Sequence, residues 1–357
     1  MNLKKKILIF ISVLLVAGCT EKFDLGELPL DVEIPDLIGD TSYVQIGRAW
    51  TDFNQPEDVV VGFDQLIYVA DTGNDRIVML DLGGSVQGIS QSITKPVAIA
   101  QDRRLNLLVA ASHDTTVNGQ EFRLAAIYKI DLFAAEHRID QAPIKRVFLE
   151  TPARERIKFT GVAALYDNRY FVTRRGPNNI SPVNPDNAVL WFSKDDQLLP
   201  REQWPNLLPV GSGLRALNQP SAIATFPNRQ TTDFVVATTA EESQFKVQWI
   251  AFTIIGDAFR WDSFLSPERD AGADLLRDGR FTQPEGLVVD NEGNIFVADA
   301  ARDSVYRFNN RGIERYSFGG SDTFISPHGL AIDPNRTLYV ADKGNDRIIR
   351  FRLSTDL

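Results

Sequence analysis

The chain has 357 residues, 43% of them hydrophobic, which is ample for a large core. Its net charge of −9 gains nothing from counterion release on a phosphate backbone, which argues against a nucleic acid partner. Its single cysteine excludes intrachain disulfides and any cysteine-based metal site.

Residues 1–18 read as a signal peptide outside the fold. Lys4, Lys5 and Lys6 form a basic start, and the apolar run from Ile7 to Val16 is too short to span a hydrocarbon layer of about 30 Å. Val16-Ala17-Gly18-Cys19 ends it and resembles a bacterial lipoprotein signal. The resemblance implies cleavage before Cys19, lipid on its thiol and attachment to a membrane of the bacterial cell envelope. Thr20, standing where an Asp would signal inner-membrane retention, favours the outer membrane. Residues 19–42 read as a tether, with Glu21, Asp24, Glu27, Asp31, Glu33, Asp36 and Asp40 against Lys22, and with Pro29 and Pro35 against regular structure. A flexible chain of this length reaches about 25–30 Å.

From residue 43 onward the chain repeats itself. The line from Ile67 to Leu82, IYVADTGNDRIVMLDL, returns as LYVADKGNDRIIRFRL from Leu338 to Leu353, and IFVADAARDSVYRF from Ile295 to Phe308 is a third copy. Each follows a lead-in, at Gln55, Gln283 and Ser326, of the form Pro-x-Gly/Asp. Alternating apolar runs bounded by Asn, Asp and Gly predict three or four short antiparallel strands per unit. Such a unit buries its faces only by stacking on its copies. Degenerate copies open at Pro96, Gly161 and Pro220. Together with Pro56, Pro284 and Pro327 they make six openings, and an all-β, six-bladed β-propeller over 43–357 is expected. The chain stops after the third strand of the sixth unit. The segment from Tyr43 to Gly47 is similar to the outer strand around Arg315–Gly319, and is expected to join the last blade and close the ring.

Val69-Ala70-Asp71 with Asn74-Asp75-Arg76-Ile77, and Val340-Ala341-Asp342 with Asn345-Asp346-Arg347-Ile348, resemble the NHL-repeat family over about residues 43–357. The resemblance implies the propeller fold and leaves function open, since binding platforms, scaffolds and a few enzymes share it. Asp71, Asp299 and Asp342 at strand ends are read as structural acceptors of turn N–H groups, with Arg76 and Arg347 as their partners.

The strand-entry loops and the loops after the second strands share one face. Insertions at Ser112–Arg123, Arg174–Asn187 and Thr238–Lys246 load that face in blades 2–4, as expected of a binding surface. The principal expectation is therefore a binding or scaffold module there for an envelope protein, peptide or glycan. Arg174 and Arg175 replace the repeat Asp and are candidates for an anionic group. The residue after each opening Pro points to the channel mouth: Glu57, Val97, Gly161 or Val162, Ser221, Glu285 and His328. Ser221 is a further ligand candidate. Two carboxylates and an imidazole, Glu57, Glu285 and His328, suit a divalent metal, whether Ca, Mn or Zn. Gluconolactonase-like propellers are similar in placing acidic and amide ligands there, which implies the alternative, a metal-dependent hydrolase or lactonase; Val97 and Ser221 depart from their pattern. Peptide-amidating lyase propellers need three zinc histidines. Here His113 falls in an insertion and His137 in the stretch after a strand, so that set is not assembled. No nucleophile elbow or phosphate loop occurs.

Overall fold

A computed structural model describes residues 42–357, apart from Pro182 and Asp257. The signal segment, Cys19 and the tether as far as Thr41 lie outside the described residues. The rest is a six-bladed β-propeller built of six small antiparallel sheets. Blade 1 comprises Pro56–Val61, Ile67–Asp71, Arg76–Leu80 and Val86–Ile89. The innermost strands of the other blades are Ala98–Gln101, Lys158–Ala164, Pro220–Thr225, Pro284–Val289 and Pro327–Ile332. Each packs against the next, and Pro327–Ile332 against Pro56–Val61.

The ring closes as the sequence predicts. Tyr43–Gln45 is the fourth strand of blade 6, with Tyr43 opposite Leu353 and Gln45 opposite Phe351. The Tyr43 ring stacks on Phe318 of blade 5 at 4.7 Å between centroids. Because Arg347–Leu353 runs away from the channel mouth, the chain enters the propeller on the lower face, where the Ser42 carbonyl accepts from Ser354 N–H.

The second strand of each blade is buried on both sides, so it reads as a continuous apolar run. Ile67–Asp71, Ile295–Asp299 and Leu338–Asp342 are buried throughout. Apolar clusters fill each gap between blades, the largest spanning blades 2 to 4 around Trp191, Tyr170, Phe171 and Phe192.

One local feature differs from expectation. The blade 2 insertion is no loop. Asn106–Val117 and Gln120–Asp131 pair along their full length, turning at Asn118 and Gly119, both at positive φ. Asn-Gly between alternating residues is the strongest short-range hairpin signal. Blade 3 has three strands, with a single bridge, Phe192 to Leu198, in place of a fourth.

The repeat carboxylates stitch the ring together. Asp71 accepts from Asn54 N–H at 2.7 Å, Asn74 Nδ2 at 2.9 Å and Arg76 Nε at 2.6 Å. Asp342 repeats this with Ile325, Asn345 and Arg347, and Asp299 accepts from Thr282 and Gln283 N–H. Each therefore ties the third strand or turn to its own lead-in. The Asp before the third strand reaches the next blade instead: Asp75 to Lys95 N–H, Asp303 to Ser326 N–H, and Asp346 to Gln55 N–H across the closure. All three stand at φ near +50°, a conformation that Asn and Asp tolerate.

Candidate functional site

The six inner strands enclose a central channel of about 750 Å³. A β-bulge at the upper end of five of them decides what faces its mouth. In blade 1, Pro56 pairs with Asp71 and Asp58 with Ala70, leaving Glu57 unpaired. A like shift frees Ser221, Glu285, Thr160 and His328. Bulges re-aim side chains in this way. The blade 3 residue at this position is thus Thr160 rather than Gly161 or Val162. Gly286 and Gly329 follow the bulge because a Cβ there would collide with the next blade's backbone, at the His328 carbonyl and at Asp58.

Glu57 and His328 come together, but with a cation between them. Lys343 Nζ donates to Glu57 Oε1 at 2.6 Å and lies 3.3 Å from His328 Nε2, while His328 Nε2 and Glu57 Oε2 are 3.7 Å apart. The Ser326 carbonyl, 3.0 Å from Nδ1, can only accept, so it selects the Nδ1–H tautomer and leaves the Nε2 lone pair to the ammonium. Burial, with Lys343 assisting against Glu57, holds the imidazole below its ordinary pKa.

Glu285 lines the same channel and has no hydrogen-bond partner among the described residues. Burial pushes its carboxyl up to about 7, opposed by Arg175 and reinforced by Glu57. The expected metal triad of Glu57, Glu285 and His328 is therefore corrected. Among the described residues no three such side chains are grouped to hold an ion, and the ammonium of Lys343 already neutralises Glu57. Neighbouring Asp58, raised to about 7 by burial, is occupied in accepting from Ile99 and Val59 N–H.

Two ligand candidates are also corrected. Arg174 is 2% exposed and forms the keystone of the blade 3 insertion. It donates to the carbonyls of Asp186 and Pro185, to Asn184 and to Glu150. Burial, with Arg154 nearby, lowers it to about 10 in spite of Glu150. Ser221 is 3% exposed and donates to Pro284 O at 2.6 Å, a blade-to-blade bond that Thr160 repeats on Pro220 O. Arg175, by contrast, lines the channel, half-buried and without a hydrogen bond or ion pair among the described residues. His113 meets Tyr128 on the blade 2 hairpin, and His137 lies 3.6 Å from Asp64.

Lys343 and Lys158 escaped the sequence reading. A signal for the first exists in the residue after the repeat Asp. Taken by strand register, that position holds Thr72, Ser112, Arg175, Thr239, Ala300 and Lys343 around the ring. Its two cations stand on blades 3 and 6, which face each other in a six-membered ring.

Fold and mouth together define a six-bladed β-propeller with a polar mouth to its central channel. Residues 324–351, which cover blade 6 from its lead-in through Phe351, match the NHL repeat family model. The chain is thus a six-bladed β-propeller carrying an NHL repeat. Among curated proteins none matches it in sequence. Solved structures that are similar include a gluconolactonase from Xanthomonas campestris, 15% identical over 88% of this chain and 90% of that one, TM-score 0.56. Regucalcin, a calcium-binding protein from Agrobacterium tumefaciens, is 11% identical over 87% and 94%, TM-score 0.58. A Thermus thermophilus protein described as a putative glucose dehydrogenase is 12% identical over 87% and 100%, TM-score 0.55. At these identities the likeness is one of fold.

Proposed function

We propose that the protein is an envelope-tethered binding propeller that takes a polar ligand, the end of a peptide or glycan or a small molecule, in the upper mouth of its channel. The observation behind this is a mouth whose Arg175 and Glu285 are left without hydrogen-bond partners, whereas buried or half-buried polar groups are ordinarily satisfied. The blade 2 hairpin and the blade 3 insertion both follow the second strand of their blades and so project on the same face. In this reading Cys19 carries the lipid and residues 20–42 are the tether. The test is capture from envelope extracts by the detergent-solubilised full chain. Val97→Trp, which fills the mouth, and removal of hairpin residues 115–122 are expected to reduce what is captured. Unchanged capture by both variants refutes the reading.

One observation favours an enzymatic alternative, a lactonase-like hydrolase working without the expected metal. Glu285, near neutrality, shares the mouth with a neutral imidazole, His328, and an acid and a base so poised suit proton transfer. Turnover of a lactone panel at pH 6–8, lost in both Glu285→Gln and His328→Gln, is the expected result. No turnover by the wild type removes this alternative.

A further inference from the structure

We propose that Lys158 and Arg175 form an oxyanion site on the blade 3 side of the mouth, so that the ligand carries a carboxylate or phosphate; this rests on the mouth reading above. The two residues are directly opposite in the antiparallel pair of Lys158–Ala164 with Tyr170–Arg175. Directly opposed residues share a face of the sheet. Their neighbours, Phe159 and Arg174, are also opposed and are both buried, so Lys158 and Arg175 take the other face, which lines the channel.

Like charges directly opposite on neighbouring strands repel, and chains ordinarily avoid or neutralise such pairs. Among the described residues no carboxylate comes within ion-pair distance of either. Neither residue forms a hydrogen bond or an ion pair among the described residues. Lys343 across the ring shows the contrast, since it is held by Glu57 at 2.6 Å. Glu285, the acid that acts on Arg175, remains outside ion-pair distance and is raised toward neutrality. A bound oxyanion would supply the missing charge.

The backbone beneath the site is anchored. Arg175 ends a strand whose preceding residue, Arg174, is buried and fixed by Glu150, Asn184 and two insertion carbonyls. The planar guanidinium of Arg175 offers a two-pronged donor suited to carboxylate or phosphate, and Lys158 adds a second positive charge beside it. The protein as a whole is acidic, with net charge −9, so its general field does not gather anions and local recognition has to come from these two residues.

The experiment is calorimetric titration of the detergent-solubilised full chain at low salt with inorganic phosphate, with glucuronate and with glucose as the uncharged control. Binding of phosphate or glucuronate but not glucose is expected, weakened about tenfold or more in Lys158→Ala/Arg175→Ala and less in Arg175→Lys. Circular dichroism confirms that the variants fold, as their partly exposed positions lead one to expect. Phosphate alone or glucuronate alone identifies the anion class. Anion binding that persists in the double variant overturns the site, as does failure to bind either anion. If envelope capture through the mouth continues in that case, the mouth reading stands and only the anion site falls. If capture is also insensitive to Val97→Trp, both fall.

Discussion

Glu285 offers the most direct test of the channel's electrostatics. Its carboxyl moves from an ordinary 4.5 to about 7 because burial penalises the charge more than Arg175 relieves it. The folded state therefore binds this proton more tightly than the unfolded chain does. Its contribution to stability is complete below about pH 4.5 and is lost as pH rises through about 7. At 1.36 kcal/mol per pH unit the loss is at most about 3 kcal/mol, and water in the open channel reduces it to about 1–2 kcal/mol. Glu285→Gln keeps the shape and removes the charge. It is expected to match the wild type at pH 5 and exceed it by about 1–2 kcal/mol at pH 8, or about 2–5 °C in melting temperature for a domain of this size. Asp58 titrates in the same direction but is present in both proteins and cancels from the difference. Thermal unfolding of the two proteins at both pH values is the assay. An equal difference at pH 5 and pH 8, or a less stable variant at pH 8, would refute the electrostatic account of this site.

Other substitutions probe the frame and the mouth. Asp342→Ala strands the Ile325 N–H, the Asn345 amide and the Arg347 guanidinium at a fully buried point; it is expected to cost about 3–5 kcal/mol, read as a lower urea midpoint at unchanged slope. Tyr43→Ala removes the ring stacked on Phe318 and edge-on to Tyr316 and Phe296; a loss of about 2–3 kcal/mol and faster proteolysis near residue 43 are expected. Lys343→Met frees His328 from an ammonium that disfavours its protonation; its imidazole resonance in NMR is expected to titrate at higher pH than in the wild type, and an unmoved midpoint would mean that the contact does not control the ring.

The frame was legible because its causes are local. Alternation in Arg76–Leu80, continuous apolar runs such as Leu338–Asp342 and turn residues at fixed offsets each report backbone geometry residue by residue. The closing strand was legible from what the last unit lacked. The mouth was less so. Period-two patterning does not show a bulge, so Thr160 was missed as the blade 3 partner of Glu57. Nor does it show whether a repeat-breaking cation faces the channel or the interior. Arg174 and Arg175 are adjacent in sequence and opposite in fate, one buried under an insertion and the other lining the channel. The spacing of Glu57, Glu285 and His328 depends on the diameter of the ring and on Lys343, which comes from a different loop.

The division of the repeat around the ring has a chemical counterpart. Blades 5, 6 and 1 keep the sequence repeat best and bring Glu285, His328, Lys343 and Glu57 to the mouth, a set in which Lys343 is already matched to Glu57. Blade 3 has lost the repeat Asp and brings Lys158 and Arg175, neither in an ion pair among the described residues. Losing the Asp and gaining the cations are one event in structural terms. Arg174 takes the Asp's place at the strand end and makes up for its bonds by gathering Glu150, Asn184 and the insertion backbone, and the next residue, Arg175, lines the channel. A ligand suited to both arcs carries its negative group toward blade 3 and hydroxyl or amine donors toward Glu285. Reversing one arc by charge, as in Arg175→Glu, is then expected to abolish anion binding more completely than Arg175→Ala, because it sets a second carboxylate against Glu285 rather than only removing an attraction. Calorimetry with the same anions separates the two variants, and equal losses would show that the arcs do not act on a common ligand.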